Sequence, residues 1–216
     1  NAALGSASSG DVVLKTGSSS LGASGAIVFD TGASLLKSGD ATFKTGSSAE
    51  GATGAVKFEV GSSENGRGGE IILAAGESVN GGGGNILVSA GGSGALTGGS
   101  VNLVTGQGTI SGELSILSSS GGQSSGNVKL GSGAGTLASG DLQLESGDSG
   151  LGSTGDITIR SGDSEQTASG AVRLEGGASS EATGGNIDIK SGSSQLLTSG
   201  HITVASGDGS IGSGSL

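Results

Sequence analysis

The sequence predicts an all-β protein, a parallel β-solenoid of about 14 coils of 13–15 residues, with a thin two-walled aliphatic core and no helices. Three observations predict it. A Ser/Thr/Gly-Gly step recurs at even spacing, apolar residues alternate with period two after each step, and charge changes sign from one unit to the next.

The repeat comes first. The second residue of the step falls at Gly10, Gly25, Gly39, Gly54, Gly69, Gly84, Gly99, Gly112, Gly126, Gly140, Gly155, Gly170, Gly185 and Gly200. Units therefore open at Ser9, Ser24, Ser38, Thr53, Gly68, Gly83, Gly98, Ser111, Ser125, Ser139, Thr154, Ser169, Gly184 and Ser199, with a further opening at Ser213. Positions below are counted from each of these mark glycines. A second glycine stands at position seven, as in Gly17, Gly32, Gly46 and Gly61, and one unit carries Ser119 there instead.

Between the two glycines lies the strand. Positions two and four are aliphatic or Phe, as in Val12/Leu14, Ile27/Phe29, Ile71/Leu73, Ile157/Ile159 and Ile202/Val204, with Ala41 the exception. Positions three and five are mixed, with Lys57, Gln143, Arg173 and Asp188 at the third. This pattern reads as an extended segment with one apolar and one wet face. Helical spacing of three and four is not sustained anywhere. A five-residue strand cannot bury its face alone, but stacked copies can, so one coil per unit is expected. At roughly 4.8 Å per rung, fourteen coils would make a rod on the order of 70 Å long.

The rest of each coil follows from the glycines and the looser half-unit. Corner glycines suit positive φ or close backbone approach. Position six is small and often hydroxylic (Thr16, Thr31, Thr45, Thr105, Ser146, Ser161, Ser191), and alternation turns it inward beside the corner. The looser half carries one aliphatic residue in most units (Leu21, Leu35, Val79, Ile110, Leu137, Leu151, Leu196, Ile211), expected to close the core from the opposite wall.

The charges are an independent check. Position five reads Lys15, Asp30, Lys44, Glu59 in the first four units and Glu145, Arg160, Glu175, Lys190 in units ten to thirteen. Stacked neighbours of opposite sign are favoured by about 0.2–1 kcal/mol each. The chain ends at Leu216, the second position after a fifteenth mark at Gly214, and Leu4–Ser8 match the second half of a unit. Those ends read as an interval of a longer array or a unit joined end to end.

Composition narrows the function classes. Gly supplies 50 of 216 residues, and Pro, Cys, Met, Trp and Tyr are absent. The net charge of −10 argues against nucleic acid or anionic membrane as partner. No 18-residue apolar run offers a membrane span. Without Cys there is neither a disulfide scaffold nor a thiolate metal site, and no Asn-x-Ser/Thr sequon occurs.

Sites are few. His201 is the only histidine and stands at position one, where other units carry Asp11, Asn85 or Asp156, so an exposed corner residue is preferred to a catalytic base. "GSGAG" (Gly131–Gly135) is followed by neither Lys-Ser/Thr nor a helix, which rejects a phosphate loop. No catalytic residue and no resident cofactor is expected, with calcium the one cation in question. Asp141 and Asp156 share position one in consecutive units and Asp148 and Asp163 share position eight, two stacks that a cation would relieve. The competing reading is solvated turn carboxylates. "GGGGN" (Gly81–Asn85) faintly resembles the RTX calcium repeat, whose nine-residue period differs from this one.

Two surfaces stand out. Outward positions in units five to eight are apolar, at Ile72, Ala74, Leu87, Val104 and Leu117, and mark a protein contact patch, with Val13 and Val28 opening a second. Ser18/Ser19, Ser47/Ser48, Ser62/Ser63 and Ser193/Ser194 form a hydroxyl row that suits turns, O-linked sugar or a solid or polysaccharide surface.

Units such as "SGDITIRSGDSEQTA" and "SGAVRLEGGASSEAT" resemble Gly/Ser-rich β-solenoid repeats of large secreted surface, adhesin-like and filament-forming proteins, and more distantly ice-binding β-solenoids. The first resemblance implies a non-enzymatic structural rod in an extracellular fibre, coat or adhesin stalk, assembled laterally or end to end with other copies or segments of the same protein. The second implies a flat Thr-x-Thr array, which the Lys, Asp, Glu, Arg and Leu residues at positions three and five interrupt.

Overall fold

The computed structural model describes residues 9–208 together with 210, 212, 214 and 215. The chain divides into two bodies, Asn1–Val104 and Thr105–Leu216. In each, the repeat is visible as one bend per unit. The first body bends at residues 20–22, 35–36, 49–51, 64–66, 79–81 and 94–96. The second bends at 108–110, 122–123, 136–137, 150–152, 165–167, 180–182 and 195–197.

Between bends the chain shows the expected two-residue alternation of exposure. Second-position side chains from Ile27 to Ile202 are 45–59% exposed, whereas the outward aliphatics Val13, Val28, Ile72, Leu87, Val104 and Leu117 are 74–88% exposed. Extended backbone produces this alternation, because successive side chains point to opposite sides. In the first body the fourth-position rings of adjacent units meet edge to face, Phe29 on Phe43 with centroids 6.1 Å apart.

The alternation does not become a sheet. Among the described residues there is neither helix nor strand, and no side chain is buried. The expected all-β solenoid with a two-walled core is therefore corrected to an irregular chain of repeated bends. The residues expected to form the second wall point to solvent: Leu21, Leu35, Val79, Ile110, Leu137, Leu151 and Leu196 are 89–106% exposed. Ile211 and Leu216, also assigned to the core, lie outside the described residues, as do Leu4–Ser8 and Ser213, which opens the last unit.

The reason lies in where the loop returns. A solenoid needs each mark glycine to come back beside the mark before it. Here it comes back beside the end of the preceding segment, at positions six and seven. Gly84 N–H donates to the Gly76 carbonyl at 2.9 Å and Gly99 to Gly91 at 2.8 Å in the first body. Gly185 to Gly177 at 2.8 Å and Gly200 to Gly192 at 2.9 Å repeat the closure in the second. Each closed loop thus brings the mark glycine back to the end of the preceding segment, and among the described residues consecutive segments form no ladder, although Phe29 and Phe43 touch across two of them. Without a ladder the apolar faces stay largely open to water.

The closure explains the mark glycines differently from the sequence reading. Among the described residues no glycine has a positive φ, so left-handed corners are not their purpose. Close approach is. A Cβ on Gly69 would stand 2.8 Å from Val60 Cγ1, and one on Gly25 would stand 3.4 Å from Thr16 Cγ2. In both cases the neighbour is the position-six side chain of the preceding unit. The least exposed side chains of the chain are all at that position: Ala75 in the first body and Thr105, Ser146, Ser161 and Ser191 in the second. The glycine at the mark is thus a steric requirement set by the side chain at position six of the unit before it.

Candidate functional site

The feature that repeats most faithfully is the bend, and a serine holds it. In each of the nine 15-residue units the residue at position nine is Ser, and its Oγ accepts the backbone N–H of position twelve. The distances run from 2.9 Å, as for Ser78 with Gly81, to 3.2 Å, as for Ser164 with Thr167. A serine hydroxyl replaces a backbone carbonyl in closing such a turn, which is why the residue suits loops better than helices.

Shorter units solve the same problem by another route. In the 14-residue unit opening at Ser24, Ser34 Oγ reaches only to Leu36 N–H, at 3.3 Å. The next three short units place glycine at position nine, Gly108, Gly121 and Gly135. There the chain curls so tightly that a Cβ would strike a backbone carbonyl, that of Ile110, Ser124 and Ala138 respectively. The short units thus use either a serine with a shorter reach, Ser34, or a glycine at this position. The fourth glycine of this kind, Gly209, lies outside the described residues. That every 15-residue unit carries Ser at position nine was readable in the sequence by aligning that position against unit length.

The hydroxyl row accordingly splits in two. Ser19, Ser48, Ser63 and Ser194 are spent on their own bends. Their neighbours Ser18, Ser47, Ser62 and Ser193 are exposed, and among the described residues their hydroxyls have no hydrogen-bond partner.

The other sequence-predicted residues are placed as follows. In the first body Ile72, Ala74, Leu87 and Val104 are exposed, as is Leu117 in the second. Asp141, Asp148, Asp156 and Asp163 are exposed, and among the described residues no three carboxylate or imidazole groups gather where a cation could be held. Asp163 Oδ2 instead lies 3.6 Å from Arg160 Nη1. His201 is exposed.

The electrostatics are local. Arg67 Nη2 donates to Glu70 Oε1 at 2.6 Å, and Gln143 Nε2 donates to Glu145 Oε2 at 2.8 Å. Among the described residues no position-five charge forms an ion pair with the position-five charge of the next unit. The sign alternation that suggested stacking is not used within the chain.

No protein-family model, curated protein or solved structure matches this chain.

Proposed function

We propose that this is a non-enzymatic structural repeat protein, part of an extracellular or cell-surface fibre, coat or stalk, whose units contact other copies or other segments of the same protein. One observation carries the reading: the same apolar alternation recurs in unit after unit, and among the described residues none of it is buried by the chain itself. Contiguous apolar surface in water calls for a partner surface, and a periodic array calls for a periodic partner. The repeat style, which resembles that of secreted filament-forming proteins, supports the same reading.

The test is sedimentation and electron microscopy of the purified protein across a concentration range. Fibres or sheets that grow with concentration are expected. A chain that stays monomeric at high concentration would sink the reading. A second reading, attachment to ice, a glycan or another solid surface, rests on the free hydroxyls of Ser18, Ser47, Ser62 and Ser193. Thermal hysteresis or retention on such a surface would favour it.

A further inference from the structure

We infer that the partner along the charged units is a second copy of this chain, lying parallel to the first and displaced by one unit. The inference rests on the structural reading above and specifies the contact.

Its starting point is the alternation at position five, which the chain does not use internally. In register, two parallel copies would set Lys15 on Lys15 and Asp30 on Asp30, like on like throughout. Displaced by one unit, Lys15 faces Asp30, Asp30 faces Lys44, and Lys44 faces Glu59 in the first body. In the second body the same shift sets Glu145 against Arg160, Arg160 against Glu175, and Glu175 against Lys190. Every position-five pair is then opposite in sign, and these pairs outweigh the two like contacts the same shift makes, Asp141 on Asp156 at position one and Asp148 on Asp163 at position eight. A shift of two units restores the repulsion, with Lys15 on Lys44 and Asp30 on Glu59.

Polarity follows from side-chain parity. Parallel segments bring position five to five while also bringing two to two and four to four, so the aliphatic residues meet on the other face. Antiparallel segments that match five to five bring two opposite eight, beyond the position-seven glycine, and lose the second-position aliphatic contact. Along the segments the second-position aliphatics, such as Ile27, Val56, Val172 and Ile187, are only 45–51% exposed, less than the outward aliphatics at positions three and five. Only the parallel arrangement keeps both the charge match and the apolar match. Among the described residues Arg160 is the one position-five charge with an ion pair in its own chain, a loose one at 3.6 Å between exposed groups, so it remains free to exchange partners.

The chain contains no cysteine, so single cysteines report the register directly. Val13 and Val28 occupy position three of the first two units and are 74% and 80% exposed. Mixed Val13→Cys and Val28→Cys chains should form an interchain disulfide under mild oxidation, while Val13→Cys alone should crosslink poorly. Efficient crosslinking of Val13→Cys to itself would mean in-register copies and overturn the inference, leaving the structural reading intact. A second variant carries Asp30→Lys, Glu59→Lys, Glu145→Lys and Glu175→Lys, which makes each run one sign. It should raise the concentration needed for assembly about tenfold or more at low salt, an effect that fades near 1 M salt. Unchanged assembly by this variant would likewise overturn the staggered contact alone. Wild-type protein that never assembles would remove both the contact and the reading beneath it.

Discussion

Ser19 Oγ accepts the N–H of Gly22 at 3.1 Å, and eight further serines hold the same bond at the same place in their units. Each of these nine bends is therefore tied down by one side chain. The bonds are exposed to water, so each contributes modestly, about 0.5 kcal/mol. Their value lies in repetition: identical bends present identical segments.

Replacing one of these serines should loosen its own bend and no other. In Ser63→Ala, the amide of Gly66 loses its acceptor and should exchange with solvent several-fold faster. Ser62→Ala removes a hydroxyl with no partner among the described residues and should leave that amide unchanged. Amide exchange read by NMR distinguishes the two, and equal effects would mean the bend does not depend on the Ser63 hydroxyl.

The short units make a complementary prediction. Gly135→Ala would drive a Cβ into the Ala138 carbonyl, so the bend at 136–137 must open, at a cost on the order of 1–3 kcal/mol. Gly133→Ala, two residues away, meets nothing within 4 Å and should be silent. Backbone chemical shifts around Ser139 should move in the first variant and stay in place in the second.

These contrasts show which parts of the architecture were legible in the residues. The alternation of Ile27 and Phe29 with their neighbours was legible because period two is a property of extended backbone. The unit boundaries were legible because the mark glycines answer to a steric need. The destination of the loop was not. Whether Gly84 returns to Gly69 or to Gly76 depends on how seven linking residues curl, and no side-chain period records that. The alternating charges at Lys15, Asp30, Lys44 and Glu59 misled for the same reason: opposite signs one unit apart suit a neighbouring coil and a neighbouring molecule equally well. The division of the Ser-Ser pairs into a bound and a free hydroxyl needed the bend geometry, although the link between serine and unit length was present in the sequence.

The ion pairs should matter little. Arg67 and Glu70 are bonded at 2.6 Å, but their side chains are 86% and 57% exposed. Water and side-chain entropy offset most of the attraction in such pairs, leaving less than about 0.5 kcal/mol. Glu70→Gln should thus leave the exchange of neighbouring amides unchanged within error, at low and at high salt. A clear loss of protection at Gly66 and Gly69 in this variant would show that the pair anchors the bend.

The apolar stretch yields the sharpest contrast. Ile72, Leu87 and Val104 in the first body are 78%, 88% and 88% exposed, on outward positions where other units carry charge or polar groups. Covering a Leu or Val side chain against a partner is favoured by roughly 1.5–3 kcal/mol, so a double replacement removes enough to be seen in assembly. Leu87→Lys combined with Val104→Lys should raise the assembly concentration by at least tenfold. Leu151→Lys provides the control, because Leu151 is 106% exposed yet stands in a bend rather than on a segment. If contacts form along the segments, the bend substitution should leave assembly nearly unchanged. Equal losses from both would mean that apolar content in general, and no particular face, drives the chains together.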